Sequence, residues 1–329
     1  MTVSANKLPM ETVKNAFAGF KKVKLEVLSI SEVKGGFTGA AKFMLEFNNR
    51  KFFLKAADEK LQPVDAFLIE SEAKIYSLLG KWKLTGVIFP KYEEFINVDD
   101  LRILVLEFLG DASWGGPWNE ETIEFLDQGL NKLHTTKLDE DEKQELIALA
   151  TEIRSHIGEK PKQDTKEAKE EKKRIFLETW NESLSGFMDS KGEVYFKGES
   201  DLPKRIMEEA EDKGPEVQKT LIMHDLNFAN IGFTSKQVYF VDPIFVTMGD
   251  PLFDRTVVGV NILQQLQASI TPELKKLIVN KFFQSKPILA RLIGYYVISS
   301  HKQLDESQAA WQKFHQECAV IALEIFNEI

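Results

Sequence analysis

Cysteine is nearly absent: Cys318 is the only one in 329 residues. That excludes a disulfide framework and a cysteine-built zinc site. Long hydrophobic runs are missing too. No stretch approaches the roughly 18 apolar residues of a membrane helix. The opening residues, MTVSANKLPMETVKNAF, lack the charged start, apolar run and small-residue cleavage site of a signal peptide. A cytoplasmic protein without a membrane partner is expected. Basic charge is in deficit, with 42 Lys and Arg against 51 Asp and Glu and a net charge of -9. A nucleic-acid binder usually carries a basic face, so no nucleic-acid partner is expected. No internal repeat is visible.

What remains is a globular composition, 43% hydrophobic and 28% charged, in a chain long enough for two domains. The first third reads as strands broken by turns. VKLEVLSISEV (23–33), AAKFMLEF (40–47) and KFFLKAA (51–57) form a meander, with Gly35-Gly36 at its first turn and Asn48-Asn49 at its second. Over 64–79 the period becomes helical, with Phe67, Ile75, Leu78 and Leu79 on one face. A further strand pair ends in RILVLEFLG (102–110). After WGGPW (114–118) the reading is mainly helical, apart from a charge-rich run at 159–174 and an island of short strands and loops at 220–254. The expected architecture is α+β and two-lobed. Residues 1–109 make a small antiparallel-sheet lobe with one helix, residues 110–329 a larger helical lobe, and the junction lies near 107–111.

The strongest chemical signal is LIMHDLNFANIGF (221–233) followed by VYFVDP (238–243). Asp225 and Asn230 stand five apart on one loop, and Asp242, 17 residues beyond Asp225, ends an apolar strand. Phosphoryl transfer needs a carboxylate to orient an acceptor hydroxyl and receive its proton, and oxygen ligands to hold Mg²⁺ on the phosphates. Asp and Asn also cap turns, but three of them at this spacing suit phosphoryl transfer better. Lys55 adds to this. On KFFLKAA it is the one polar group on a strand whose two faces are otherwise apolar, where an ammonium needs a partner. The alternative is a lysine snorkelling at an edge. The stretch Gly35-Gly36-Phe37-Thr38-Gly39 lies 20 residues before Lys55, and its glycines would let backbone amides approach a phosphate.

D-L-x-x-x-N followed by a strand-terminal Asp resembles the catalytic loop and metal-binding aspartate of protein kinases. It is closer still to the aminoglycoside phosphotransferase and choline kinase family. That family's G-D-P-x-x-D continuation is matched by Gly249-Asp250-Pro251-Leu252-Phe253-Asp254. LNKLHTTKL (130–138) resembles the family's leucine-histidine helix end, which makes His134 a structural histidine. The resemblance covers 30–255 and implies a protein-kinase-like fold, ATP (or GTP) with Mg²⁺, and a small-molecule acceptor. It makes Asp225 the catalytic base, and Asn230 and Asp242 the metal ligands. Lys55 would pair with the phosphates and with Glu72, Glu70 being the alternative. Gly35, Gly36, Thr38 and Gly39 would cradle the nucleotide. The backbone of Glu107 to Leu109 would meet the adenine.

Two departures stand out. Met223 occupies a position where the family usually has His, with His224 next to it, and Pro243 follows Asp242 where protein kinases have Phe. Only seven residues separate Asp242 from Asp250 and no Ala-Pro-Glu follows, so a peptide-docking segment is not expected. A small-molecule kinase is the first expectation, with a kinase-fold protein that only binds a ligand or partner as the other class. The acceptor is open between amine-bearing and sugar-like compounds. Residues 93–128 hold ten acidic side chains and only Arg102 as a base, which would suit an amine or be ordinary solvated surface. Trp114 and Trp118 could stack on an acceptor or anchor their loop.

Overall fold

The computed structural model describes residues 8–33, 40–158, 166–183, 201–211, 219–300 and 309–329. Gly35, Gly36, Thr38 and Gly39 lie outside these described residues, as does the 159–165 part of the charged run.

Alternating apolar residues build β2 (Ala41–Phe47) and β3 (Arg50–Asp58). Asn48 and Asn49 join them at φ 51° and 59°, the left-handed pair that a two-residue hairpin turn requires. β1 (Ser29–Glu32), β4 (Tyr92–Val98) and β5 (Leu101–Glu107) complete an antiparallel five-stranded sheet in the order β1-β2-β3-β5-β4. The expected first strand is therefore short, because Leu25–Val27 is a 3-10 turn.

Both sheet faces are covered. On the inner face, Phe53, Ala57, Leu104 and Leu106 pack into the main core with α2 (Pro63–Lys81), the helix expected over 64–79. On the outer face, Phe43, Leu45, Phe52, Leu54 and Ile103 meet Val13 and Phe17 of a helix that the strand reading had not anticipated, α1 (Met10–Lys21). Its signal is weak. Only Val13, Phe17 and Ala18 are buried, and Pro9 before it provides no side-chain cap. Burial of Val13 and Phe17 is worth roughly 1.5–3 kcal/mol each, enough to hold a helix that has no cap.

Beyond the sheet come β6 (Ser113–Trp114), α3 (Glu120–His134) and α4 (Glu140–His156). Asn119 with Thr122 starts α3, and Asp139 with Glu142 starts α4, each through a reciprocal capping box. α5 (Lys166–Ser183) turns part of the charged run into a helix that buries Phe176 and Trp180. α6 (Leu202–Glu211) follows. The island of short strands is β7 (Thr220–Ile222), β8 (Ile231–Phe233), β9 (Val238–Phe240) and β10 (Thr247–Gly249). The rest is helical: α7 (Pro251–Leu266), α8 (Pro272–Phe282), α9 (Lys286–Ser300) and α10 (Ala309–Glu328). None of the described helices is long and apolar enough to cross a membrane.

β9 is the strand that delivers Asp242, and its placement is over-determined. Phe240 N–H donates to the Ile88 carbonyl at 2.7 Å, and Gln237 Nε2 donates to the Val87 carbonyl at 2.7 Å. From the other side α3 reaches β9 at Gly129, where a Cβ would stand 2.4 Å from Val238 Cγ1. Gly129→Val is accordingly expected to destabilise the protein by about 1–3 kcal/mol through overpacking. Urea unfolding checks this, and an unchanged midpoint would show that the helix simply steps back.

Candidate active site

The loop between β7 and β8 is built to present Asp225. Asn227 caps the 3-10 turn Phe228–Asn230 by accepting from Ala229 N–H at 2.9 Å, while its Nδ2 donates to Asp225 Oδ1 at 3.2 Å. Asn230 is buried, and its Nδ2 donates to the Asp225 backbone carbonyl at 3.1 Å. The loop thus closes on itself, with Asn230 reaching back to the start of D-L-x-x-x-N. Burial pushes the Asp225 carboxyl above its ordinary value, the nearby Asp242 charge pushes the same way, and the Asn227 hydrogen bond opposes both.

Asp242 arrives from β9. Val241 N–H donates to the Asn230 carbonyl at 3.0 Å, which ties the strand end to the loop. Asp242 itself sits at φ 58°, ψ 53°, a left-handed turn that Asp tolerates better than most residues. Pro243 then sets the 3-10 turn Pro243–Phe245.

From the sheet side, Lys55 is 8% exposed and its ammonium meets three carboxylate oxygens: Glu72 Oε1 at 2.9 Å, Glu72 Oε2 at 2.8 Å and Asp242 Oδ1 at 3.1 Å. The partner on α2 is Glu72; Glu70 is bonded to Lys74 on the helix surface. Burial alone would lower the Lys55 pKa, but the two carboxylates outweigh it and hold the ammonium above the ordinary lysine value. Burial likewise pushes Glu72 up, to about 7, against the pull of Lys55. Contact through both oxygens is the geometry of the ionised pair, and a buried ammonium is tolerable only with such partners.

The Gly249–Asp254 stretch explains how the loop is held. Gly249 lets β10 lie against β7, since a Cβ there would stand 2.3 Å from Ile222 Cδ1. Asp250 caps α7 by accepting from Leu252 N–H at 2.9 Å, and Pro251 starts the helix. One turn on, Asp254 points back under the loop. It is 1% exposed, and its carboxylate accepts from Met223 N–H at 2.7 Å and His224 N–H at 2.9 Å, with His134 Nε2 at 3.2 Å. His224 is at φ 67°, so these bonds clamp a left-handed residue immediately before Asp225. Met223 is a core residue, 1% exposed. Support at this point of the loop comes from Asp254, through the backbone of residue 223. Asp254 was matched to the family's stretch in the sequence but given no role, and Asn227 was not singled out. Asn227 carried a usable signal, an Asn two residues after the base and able to close an Asx turn.

At the junction, Glu107 continues the sheet: its N–H donates to the Lys91 carbonyl at 2.9 Å and its carboxylate accepts from Lys91 N–H at 3.0 Å. The Leu109 carbonyl accepts from Ala112 N–H at 3.2 Å. The two tryptophans differ. Trp118 is anchored, edge-on to Phe233 at 5.3 Å with its Nε1 donating to Gln265. Trp114 lies on Gly232, directly after the metal-ligand candidate Asn230 and Ile231, and is 46% exposed. Several acidic side chains of 93–128 have basic partners. Glu93 pairs with Arg50 and Lys91, Glu94 with Lys21, Asp100 with Lys60, and Asp127 with Arg255 and Lys281. Those four carboxylates are therefore engaged in ion pairs within the chain.

Asp242 and Asn230 suit Mg²⁺, which takes one or two protein oxygens together with phosphate and water. With Nδ2 of Asn230 committed to the Asp225 carbonyl, Oδ1 is the atom its amide can offer. No cluster of three or more His, Cys, Asp and Glu exists among the described residues, so a metal cage made wholly by such side chains is not offered there.

Neither a family model nor a curated protein sequence matches the chain. Solved structures do match in fold. A spectinomycin phosphotransferase, in complex with ADP and spectinomycin, superposes with a TM-score of 0.54 at 16% identity, over 91% of this chain and 93% of that one. The Plasmodium vivax ethanolamine kinase gives 0.56 at 14% identity, over 99% and 93%. A thermostable mutant of an aminoglycoside phosphotransferase gives 0.54 at 11% identity, over 94% and 98%.

Proposed function

With its fold shared with aminoglycoside phosphotransferases and ethanolamine kinase, we propose that this chain is an ATP-dependent phosphotransferase, with GTP as an alternative donor, that moves the γ-phosphate to a hydroxyl of a small amine-bearing or sugar-like molecule in the cytoplasm. Residues 1–109 would hold the nucleotide, and residues 110–329 would carry catalysis and the acceptor. The observation that supports this most is the meeting of three remote segments: Lys55 bridges Glu72 and Asp242, and Asp242's strand is tied to the loop of Asp225 and Asn230.

In this reading Lys55, fixed by Glu72, orients the phosphates. Gly35, Gly36, Thr38 and Gly39 cradle them, and the Glu107 to Leu109 backbone meets the base. Asn230 and Asp242 would hold Mg²⁺, which when bound would offset phosphate charge. Asn227 fixes one oxygen of Asp225 and leaves the other to face the acceptor hydroxyl. As the acceptor oxygen bonds to phosphorus, the bridging oxygen–phosphorus bond breaks, the nucleoside diphosphate leaves and the hydroxyl proton passes to Asp225. Desolvation of Asp225 makes it a stronger base than a solvated aspartate.

Calorimetry with Mg·ATP, followed by a screen of hydroxyl compounds for ATP turnover, tests this reading. Wild type is expected to bind Mg·ATP and gain thermal stability. Asn230→Ala and Asp242→Ala are expected to lose most of the magnesium-dependent part of that binding. Absence of binding at millimolar ATP or GTP with magnesium would end the kinase reading.

A further inference from the structure

Lys55 enters catalysis with its hydrogen-bonding capacity already used. An ammonium has three N–H donors, and three carboxylate oxygens stand within 3.1 Å of this one. The four oxygens of Glu72 and Asp242 carry two negative charges, which one lysine does not neutralise, and a polyphosphate would bring several more to the same place.

A second ammonium is built into the same face. Lys42 stands directly opposite Lys55 in the β2–β3 register. Its strand neighbours Phe43 and Leu45 point to the outer core, whereas Ala40, Phe53 and Ala57 mark the inner face. Lys42 is therefore on the inner face, and it is half-buried. Burial, with a smaller push from Lys55, holds its pKa below the ordinary lysine value against the opposing charges of Asp242, Glu72 and Asp65, so these four charged groups lie near it. Its backbone carbonyl accepts from Val33 N–H at 2.8 Å, which sets it beside the end of β1 where the glycine-rich connection 34–39 begins. Met44, Phe53 and Ala57 show that this face accepts apolar side chains, and a half-buried ammonium next to another one is costly.

We infer that Lys42 is a second phosphate-binding residue, which meets the polyphosphate of the nucleotide from the β2 side of the cleft while Lys55 holds it from the β3 side. The inference rests on the phosphotransferase reading. It makes the β2–β3 hairpin a two-lysine clamp, in which Asp242 can shift from Lys55 toward the metal without leaving the phosphates short of positive charge.

Titration calorimetry of wild type, Lys42→Met and Lys42→Arg with Mg·ATP and with adenosine tests it. Lys42→Met is expected to weaken Mg·ATP binding about tenfold, the effect of one charge-assisted contact. Adenosine, which has no phosphate, should bind the variant as it binds wild type. Lys42→Arg should recover most of the Mg·ATP affinity, because it keeps the charge on a similar stem. Equal Mg·ATP affinity of Lys42→Met and wild type would overturn the clamp and leave the kinase reading intact. So would a parallel loss of adenosine binding, or failure of Lys42→Arg to rescue, since either would show that the residue acts through packing. Absence of Mg·ATP binding by wild type would overturn both.

Discussion

Asp225→Asn is expected to bind Mg·ATP nearly as well as wild type and to lose turnover by two or more orders of magnitude, on the order of 3 kcal/mol or more in the barrier. The substitution keeps the size of the side chain and one hydrogen-bond acceptor, so the Asn227 contact can persist. It removes the negative charge that, in the proposed mechanism, would take the acceptor's proton. The pH profile supplies an independent readout. As the proposed base Asp225 would work deprotonated, and burial together with Asp242 raises its pKa. Turnover should therefore rise with pH along an acid limb displaced above the ordinary aspartate range, and that limb should be missing from the residual activity of the variant. Single-turnover assays with an acceptor found by screening measure both. Equal turnover by variant and wild type would move the base elsewhere, with His224 the adjacent titratable group.

The second large effect is expected at Asp254, which has no place in the chemistry itself. Asp254→Ala leaves two backbone N–H groups, those of Met223 and His224, without their acceptor. It also takes away the partner of His134 in a site where the carboxylate is 1% exposed. Each such loss costs about 1–3 kcal/mol, and the set about 3–5 kcal/mol. His224 would then be free to leave its left-handed conformation and carry Asp225 with it. Urea unfolding should show the lost stability. Under conditions where the variant remains folded, kcat should fall by far more than KM for ATP changes, because the loop proposed to orient the acceptor would move while the Lys55–Glu72 pair would not. A variant with reduced stability and unchanged kcat would show that the loop keeps its shape without the clamp.

The loop of this candidate site was legible in one dimension because its residues are close together in the chain. The loop residues Asp225 and Asn230 lie within six consecutive positions, and a loop that short leaves few ways for them to diverge. Lys55 was conspicuous because period-2 alternation made it the polar exception on an otherwise apolar strand. The helix 64–79 and the strands at 40–47 and 51–57 appeared close to their positions, since amphipathic period and Asn-Asn turns are properties of the chain itself.

Other features depend on partners distant in sequence. α1 gave little local signal, and its burial depends on the outer face of the sheet. The choice of Glu72 over Glu70 was a question of which side of α2 faces Lys55, and packing of the helix on the sheet decided it. Trp118 and Trp114 were equivalent as letters and parted only when Phe233 and Gln265 enclosed one of them. Asp254 offered a family-like pattern but no role, because the N–H groups it receives lie 30 and 31 residues earlier.

The sequence by itself determined the local conformations and the residue types available for the proposed phosphoryl transfer: a tight Asp–Asn loop, a strand ending in Asp and a lysine where burial demands a partner. The tertiary structure decided which of these groups meet. Lys55 and Asp242 are 187 residues apart and pair because β9 is bonded to the segment after α2 and pressed against α3 at Gly129. Local conformation follows from sterics and hydrogen bonding within a few residues. The direction of a side chain toward a distant partner follows from how whole elements pack, and no short window of sequence contains that information.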